Sequence, residues 1–166
     1  EFDSSSPFVY STVEQPDGKL LVGGKFESYD GNTVNNFMRL NSDGTLDETF
    51  YLGAFNGAVR AITLQSNGGI LVGGEFDEYD TAYSGHLVRL KSDGTIDNTF
   101  DGGGIQYTVR AVAIQRNGQI LVGGEFTPPI IRINSDGGFD DTFFINNFGG
   151  TVHSIIIESV LNTPFY

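Results

Sequence analysis

Glu75 and Glu125 are two carboxylates that acid–base chemistry could use. Paired carboxyl groups cleave glycosidic bonds when one protonates the leaving oxygen and the other attacks or activates water. Each follows two glycines, in "ILVGGEF" at 70–76 and again at 120–126, while Lys25 holds the matching place in "LLVGGKF" at 20–26. Equivalent placement in successive copies, with a lysine in the first, ties the two glutamates to a repeat rather than to a reaction. The histidines, His86 and His153, match no repeated Ser or Asp, and the chain has no cysteine, which removes thiol nucleophiles and thiolate metal sites. No catalytic residue set is expected, and the chain is expected not to be an enzyme.

The glycine pairs themselves suit a phosphate loop only if a helix follows, because the anion is held by free N–H groups at a helix N-terminus. Here a Phe and a polar loop follow, so the glycines are expected to serve close packing of neighbouring backbone. "NSDGTLD" offers oxygen ligands around a glycine turn: Asn41, Asp43 and Asp47, with Asp93 and Asp97, and Asp136 and Asp140, in the later copies. That resembles a truncated calcium loop lacking its closing bidentate Glu. The alternative has Asp-Gly make the turn while Asp47, Asp97 and Asp140 accept backbone N–H bonds or pair with Arg39, Arg89 and Arg132. No cofactor is expected, with calcium the one ion these residues would admit.

Residues that differ between copies are better candidates for binding than residues that repeat. The differing stretches are "ESYDGNTVNNF" at 27–37, "DEYDTAYSGH" at 77–86 and the clipped "TPP" at 127–129. Tyr29, Asp30, Asn32, Tyr79, Asp80 and Tyr83 set flat aromatic faces beside polar groups, a mix suited to a sugar or a protein partner. The same tyrosines could equally pack against their own repeat.

The elements that must position these residues are short strands. "LVGG" recurs with a period of 50, and "RLNSDGTLDETF" at 39–50 returns at 89–100 and, after a clipped connection, at 132–143. The expected units are 9–58, 59–108 and 109–151, with 1–8 the tail of a preceding unit and 152–166 the start of a fourth. Within a unit, two apolar runs meet at Asp17-Gly18, Asn67-Gly68 or Asn117-Gly118, expected to be two-residue hairpins with positive φ at both positions. A third run, such as 86–92, is followed by an Asp-Gly turn and a fourth, shorter run, "TIDNTF". In "VRAVAIQ" at 109–115, Val109, Ala111 and Ala113 oppose Val112 and Ile114, so both faces of the sheet are expected to be covered. The first copy, with Thr12 and Glu14 on one face, is expected to be less covered. No segment holds a helical period.

Bulk properties agree. The 166 residues carry 9 basic and 21 acidic side chains, a net charge of −12, which repels phosphate backbones and anionic lipid. No apolar stretch approaches the roughly 20 residues of a membrane span. Neither nucleic-acid binding nor membrane insertion is expected.

The run of Gln, Asp/Asn-Gly, "ILVGG-F", loop and "RLN-DG-LD-TF" resembles the delta-60 repeat, a β-propeller repeat of bacterial and viral surface proteins, from about residue 9 to 158. Kelch propellers share the double glycine but carry a Trp that this chain lacks. The resemblance implies an all-β fold of propeller-like tandem blades and no general catalytic set. It further implies a structural or adhesive module, in an extracellular, cell-surface or virus-particle setting. The expected contacts are a protein or glycan surface and neighbouring repeats of the same or an associated chain. Closed propellers take about 4–8 blades, so the ring is expected to be completed by a larger chain or by several chains.

Overall fold

The computed structural model describes residues 7–145 and 149–158, and among them three antiparallel sheets follow one another along the chain. The first contains β1 (Phe8–Glu14) and β2 (Leu20–Lys25), then a small loop hairpin of β3 (Ser28–Tyr29) and β4 (Asn32–Thr33), then β5 (Phe37–Leu40). The second repeats this with β6 (Val59–Leu64), β7 (Ile70–Gly74), the hairpin β8 (Glu78–Tyr79) and β9 (Ala82–Tyr83), and β10 (Leu87–Leu90). The third has β11 (Val109–Ile114), β12 (Ile120–Gly124) and β13 (Ile130–Ile133), with no loop hairpin. The double-glycine strand is central in each of the three three-stranded sheets. The protein is all-β, and its tandem sheets are the blades of a propeller-type repeat.

The first strand of each blade packs against the blade before it: β6 against β1 and β2, and β11 against β6 and β7. Apolar residues on both faces of these strands make this stacking favourable. Leu21, Phe37, Phe50, Phe55, Val59 and Ile62 belong to the core between the first two blades, and Leu71, Leu87, Ile105, Val109 and Val112 to the next. The strand β1 is the uncovered one, with Phe8 53% and Val9 58% exposed.

The two glycines of each pair do different work. A Cβ on Gly23 would lie 2.4 Å from Val59 Cγ1, and one on Gly73 would lie 2.5 Å from Val109 Cγ1, so the first glycine seats the valine of the next blade. Gly123 meets Val152 in the same way, at 2.6 Å, although residues 152–158 form no strand. A Cβ on Gly24, Gly74 or Gly124 would instead meet the backbone carbonyl of Phe8, Ala58 or Thr108, at 2.0, 2.2 and 2.1 Å. These are intrablade contacts beside bulges at Val9/Ser11, Val59/Ala61 and Val109/Ala111. The expectation of close backbone packing thus resolves into one contact between blades and one within a blade.

Two local expectations are corrected. Only the glycine of each hairpin has positive φ, +81° at Gly18, +86° at Gly68 and +85° at Gly118. Gly68 N–H donates to Gln65 O and Gln65 N–H to Gly69 O, so the loop is a three-residue turn with a bulge rather than a two-residue turn. The cause is the preceding Asn67, whose Oδ1 accepts Gly69 N–H at 3.0 Å and holds the type I geometry. The fourth run, in turn, joins its sheet by single bridges alone, Leu40 to Leu46, Leu90 to Ile96 and Ile133 to Phe139. Asp47 takes the N–H and hydroxyl of Thr49, which turns the chain away from the sheet after one bridge. Residues 1–6 and 159–166 of the expected end units lie outside the described residues.

Candidate functional site

The repeated polar residues are absorbed by the framework. Arg39 Nε and Lys19 Nζ each reach Asp47 Oδ2 at 2.7 Å, and Asp47 is 2% exposed. Arg89 meets Asp97 at 2.8 Å and Arg132 meets Asp140 at 2.6 Å. Each guanidinium also lies over a phenylalanine ring, Phe50, Phe100 or Phe143. Two of them cross to the next blade: Arg39 Nη1 donates to Ser92 O at 2.9 Å, and Arg89 Nη1 to Ser135 O at 2.7 Å. The arginine is therefore a staple within and between blades.

The carboxylates respond to this environment. Hydroxyl and N–H donation from Thr99, then the Arg89 contact, push Asp97 down to about 2, and Thr142 and Arg132 do the same to Asp140. At Asp47 burial acts upward, but donors from Lys19, Thr49 and Arg39 outweigh it and hold the carboxyl well below the usual range. Asp43 and Asp93 are lowered by Thr45 and Thr95, and Asp136 accepts Gly138 N–H at 3.0 Å. Among the described residues, no three His, Asp or Glu side chains gather as metal ligands. Glu75 and Glu125 are each held by the arginine at the bulge across the blade, Arg60 and Arg110.

The six loop candidates divide. The hydroxyl of Tyr29 donates to Gly44 O at 2.7 Å, and that of Tyr79 to Gly94 O at 2.8 Å. Tyr79 is 2% exposed, and burial pushes its phenol up. Asp80 accepts the Tyr51 hydroxyl and Ala54 N–H, both at 2.8 Å. Asn32 donates to Asp30 O, and Asp30 takes a turn position with φ +47°. Tyr83, 74% exposed, is the one of the six whose ring faces largely outward.

Tyr83 stands at the junction of the second and third blades, where it lines a cleft with Leu87 and Ile105. At the first junction Val34, Phe37 and Phe55 are each at most 2% exposed, and the Phe37 and Phe55 rings meet edge to face at 5.7 Å. Fifty residues on, Ser84, Leu87 and Ile105 replace them, three smaller side chains for three larger ones. A cleft of about 240 Å³ results, bordered by Tyr83, Leu87, Asn98, Phe100, Asp101 and Ile105. A second cleft, of about 310 Å³, shares Gly104 and Ile105 with it and is lined by Tyr107, Phe126, Pro128, Ile131 and Phe139. Tyr107 is 60% and Phe139 52% exposed. Neither was a sequence candidate. The signal was present in the copies, since Phe139 stands where Leu46 and Ile96 do, and Tyr107 stands where Gly57 does.

A family model described as a domain of unknown function (DUF5122) beta-propeller matches residues 15–50, 65–100 and 115–143. The matched segments begin at Gln15, Gln65 and Gln115 and end at Phe50, Phe100 and Phe143, so each runs from a blade's first hairpin to the ring beneath its arginine. No curated protein matches the chain.

Proposed function

The chain belongs to this DUF5122 β-propeller family, and from that premise we propose that it is a non-enzymatic binding module whose stacked blades hold a protein partner at the junction of the second and third blades. One observation carries the reading: Tyr83, Tyr107 and Phe139 lie exposed around two adjoining clefts at that junction. Aromatic residues are the usual anchors of protein recognition, because they supply contact area at low entropic cost. The repeated residues that could have done chemistry are occupied elsewhere, Glu75 and Glu125 by arginines and the turn aspartates by arginine, lysine and threonine donors. The module serves a structural or adhesive role in a larger extracellular, cell-surface or virus-particle protein, a setting drawn from the likeness of its repeats to delta-60 units.

Carbohydrate binding is the second reading, favoured by Tyr83 standing beside Asn98 and Asp101, a flat ring next to polar acceptors. Panning a displayed peptide library and probing a glycan array with wild type and with Tyr83→Ala/Tyr107→Ala separates the two. The proposal expects peptides that bind wild type and lose the double variant at unchanged thermal stability. Glycan binding abolished by the same substitutions, without peptide binding, would replace the protein reading with the sugar one.

A further inference from the structure

The third blade lacks a side chain that the other two supply for themselves, and a cleft lies among the residues that correspond to that side chain's neighbours. In the second blade the Tyr79 ring lies 4.6 Å from Phe55, which lies 4.4 Å from Phe76, and Ile96 packs against the same cluster. The Tyr79 hydroxyl reaches over this wall to the carbonyl of Gly94. Tyr29 makes the equivalent bond to Gly44 in the first blade. In the third blade the three residues 127–129 stand where 77–86 stand in the second, so nothing corresponds to Tyr79.

The walls of the slot persist. Ile105 takes the place of Phe55, Phe126 that of Phe76 and Phe139 that of Ile96, and these three line the cleft of about 310 Å³. The acceptor's turn persists as well. Gly137 has φ +96°, against +87° at Gly44 and +91° at Gly94. Its N–H donates to Asn134 O, and Asn134 N–H donates to Gly138 O, the same two bonds that Gly94 and Lys91 make. Asp101 and Asp136 are exposed beside the Gly137 turn, where Asp101 N–H meets Asp136 O at 2.9 Å, and the chain as a whole carries −12. The cleft is also continuous with the core between the second and third blades, to which Ile105, Phe126 and Ile131 belong.

We propose that this cleft is a recognition pocket for a tyrosine side chain of a protein partner, with lysine or arginine beside it, the phenol ring lying against Phe126 and Phe139 and its hydroxyl donating to the Gly137 carbonyl. The proposal rests on the protein-binding reading above and names the anchor which that partner presents.

The test uses p-cresol as the phenol and toluene as its control, titrated into the isotope-labelled chain and followed by two-dimensional amide NMR. p-Cresol is expected to shift Phe126, Ile131, Gly137 and Phe139 saturably. Toluene, lacking the donor, is expected to bind about fivefold more weakly, the worth of one neutral hydrogen bond. A graft of residues 77–86 in place of 127–129 brings its own tyrosine and is expected to abolish the p-cresol shifts, with amide signals of the first two blades unchanged. Phe139→Ala, which leaves the backbone of the connection intact, is expected to weaken p-cresol and serves if the graft does not fold. Equal binding of toluene and p-cresol, shifts mapping away from the cleft, or shifts undiminished in these variants would overturn the pocket. Saturable p-cresol binding at the cleft, with panning that enriches no peptide, upholds the pocket chemistry and overturns the protein-partner reading instead.

Discussion

Val109 of the third blade fills the space above Gly73 of the second, its Cγ1 2.5 Å from where a Cβ would stand. The same contact joins Val59 to Gly23, at 2.4 Å. Gly73→Ala is therefore expected to cost about 1–3 kcal/mol through overpacking. Val109→Ala in the same molecule removes the clashing methyl groups, so the double variant is expected to lose less stability than the two single losses added together. Gly74→Ala differs, because its Cβ meets the Ala58 carbonyl at 2.2 Å, backbone that cannot yield. No side-chain truncation is expected to restore it. Chemical denaturation of the five proteins checks both statements.

The Arg39–Asp47 pair should behave as a buried ion pair, since the residues are 8% and 2% exposed. Arg39→Ala strands the carboxylate with Lys19 as its remaining cation and also removes the bond to Ser92 O. The expected loss is about 3 kcal/mol or more. Arg39→Met combined with Asp47→Leu leaves no stranded charge and is expected to cost less than Arg39→Ala alone. Urea midpoints of wild type and the two variants decide it.

Stability should fall in acid with a definable window. Asp97 and Asp140 titrate at about 2 in the folded chain, below the ordinary carboxylate value of about 3.9 that they regain on unfolding. The unfolded chain thus binds protons first as pH drops. The stabilisation is full above about pH 5 and is lost progressively as pH falls toward 2. Melting temperatures between pH 7 and pH 2 are expected to decline most below pH 4, and Asp97→Asn is expected to shallow that decline.

Tyr79 and Tyr83, four residues apart, are expected to separate framework from display. Tyr79→Phe loses the bond to Gly94 O and is expected to cost about 1 kcal/mol. Tyr79→Ala opens the core and is expected to cost about 3–5 kcal/mol. Tyr83→Ala, at a position 74% exposed, is expected to stay within about 0.5 kcal/mol of wild type. Thermal denaturation of the three variants provides the comparison.

The blade was legible from residues that repeat: the double glycine, the apolar runs on both faces and the Arg…Asp spacing each describe contacts a blade makes with itself or its neighbour. The turn geometry was less so, because Asn67 and Gly68 suit several turns and the choice rests on which N–H the Asn67 side chain accepts. Among the loop tyrosines, composition could not separate Tyr79 from Tyr83. Their difference depends on the strand β8 lying against residues 54–56, where Phe55 bridges Tyr79, a pairing invisible in local sequence. The first cleft at the second junction accompanies Leu87 for Phe37 and Ile105 for Phe55, changes of size within the apolar class that hydrophobic pattern does not register, and the second accompanies the clipped connection at 127–129.

The central claim is that recognition takes place where the second and third blades meet. Hydrogen exchange read by mass spectrometry, with and without the strongest peptide from the library, tests it directly. The account predicts slowed exchange confined to residues 83–88, 101–107 and 126–139. Protection confined to β1–β5, or to the hairpin loops at 15–19, 65–69 and 115–119, would contradict it.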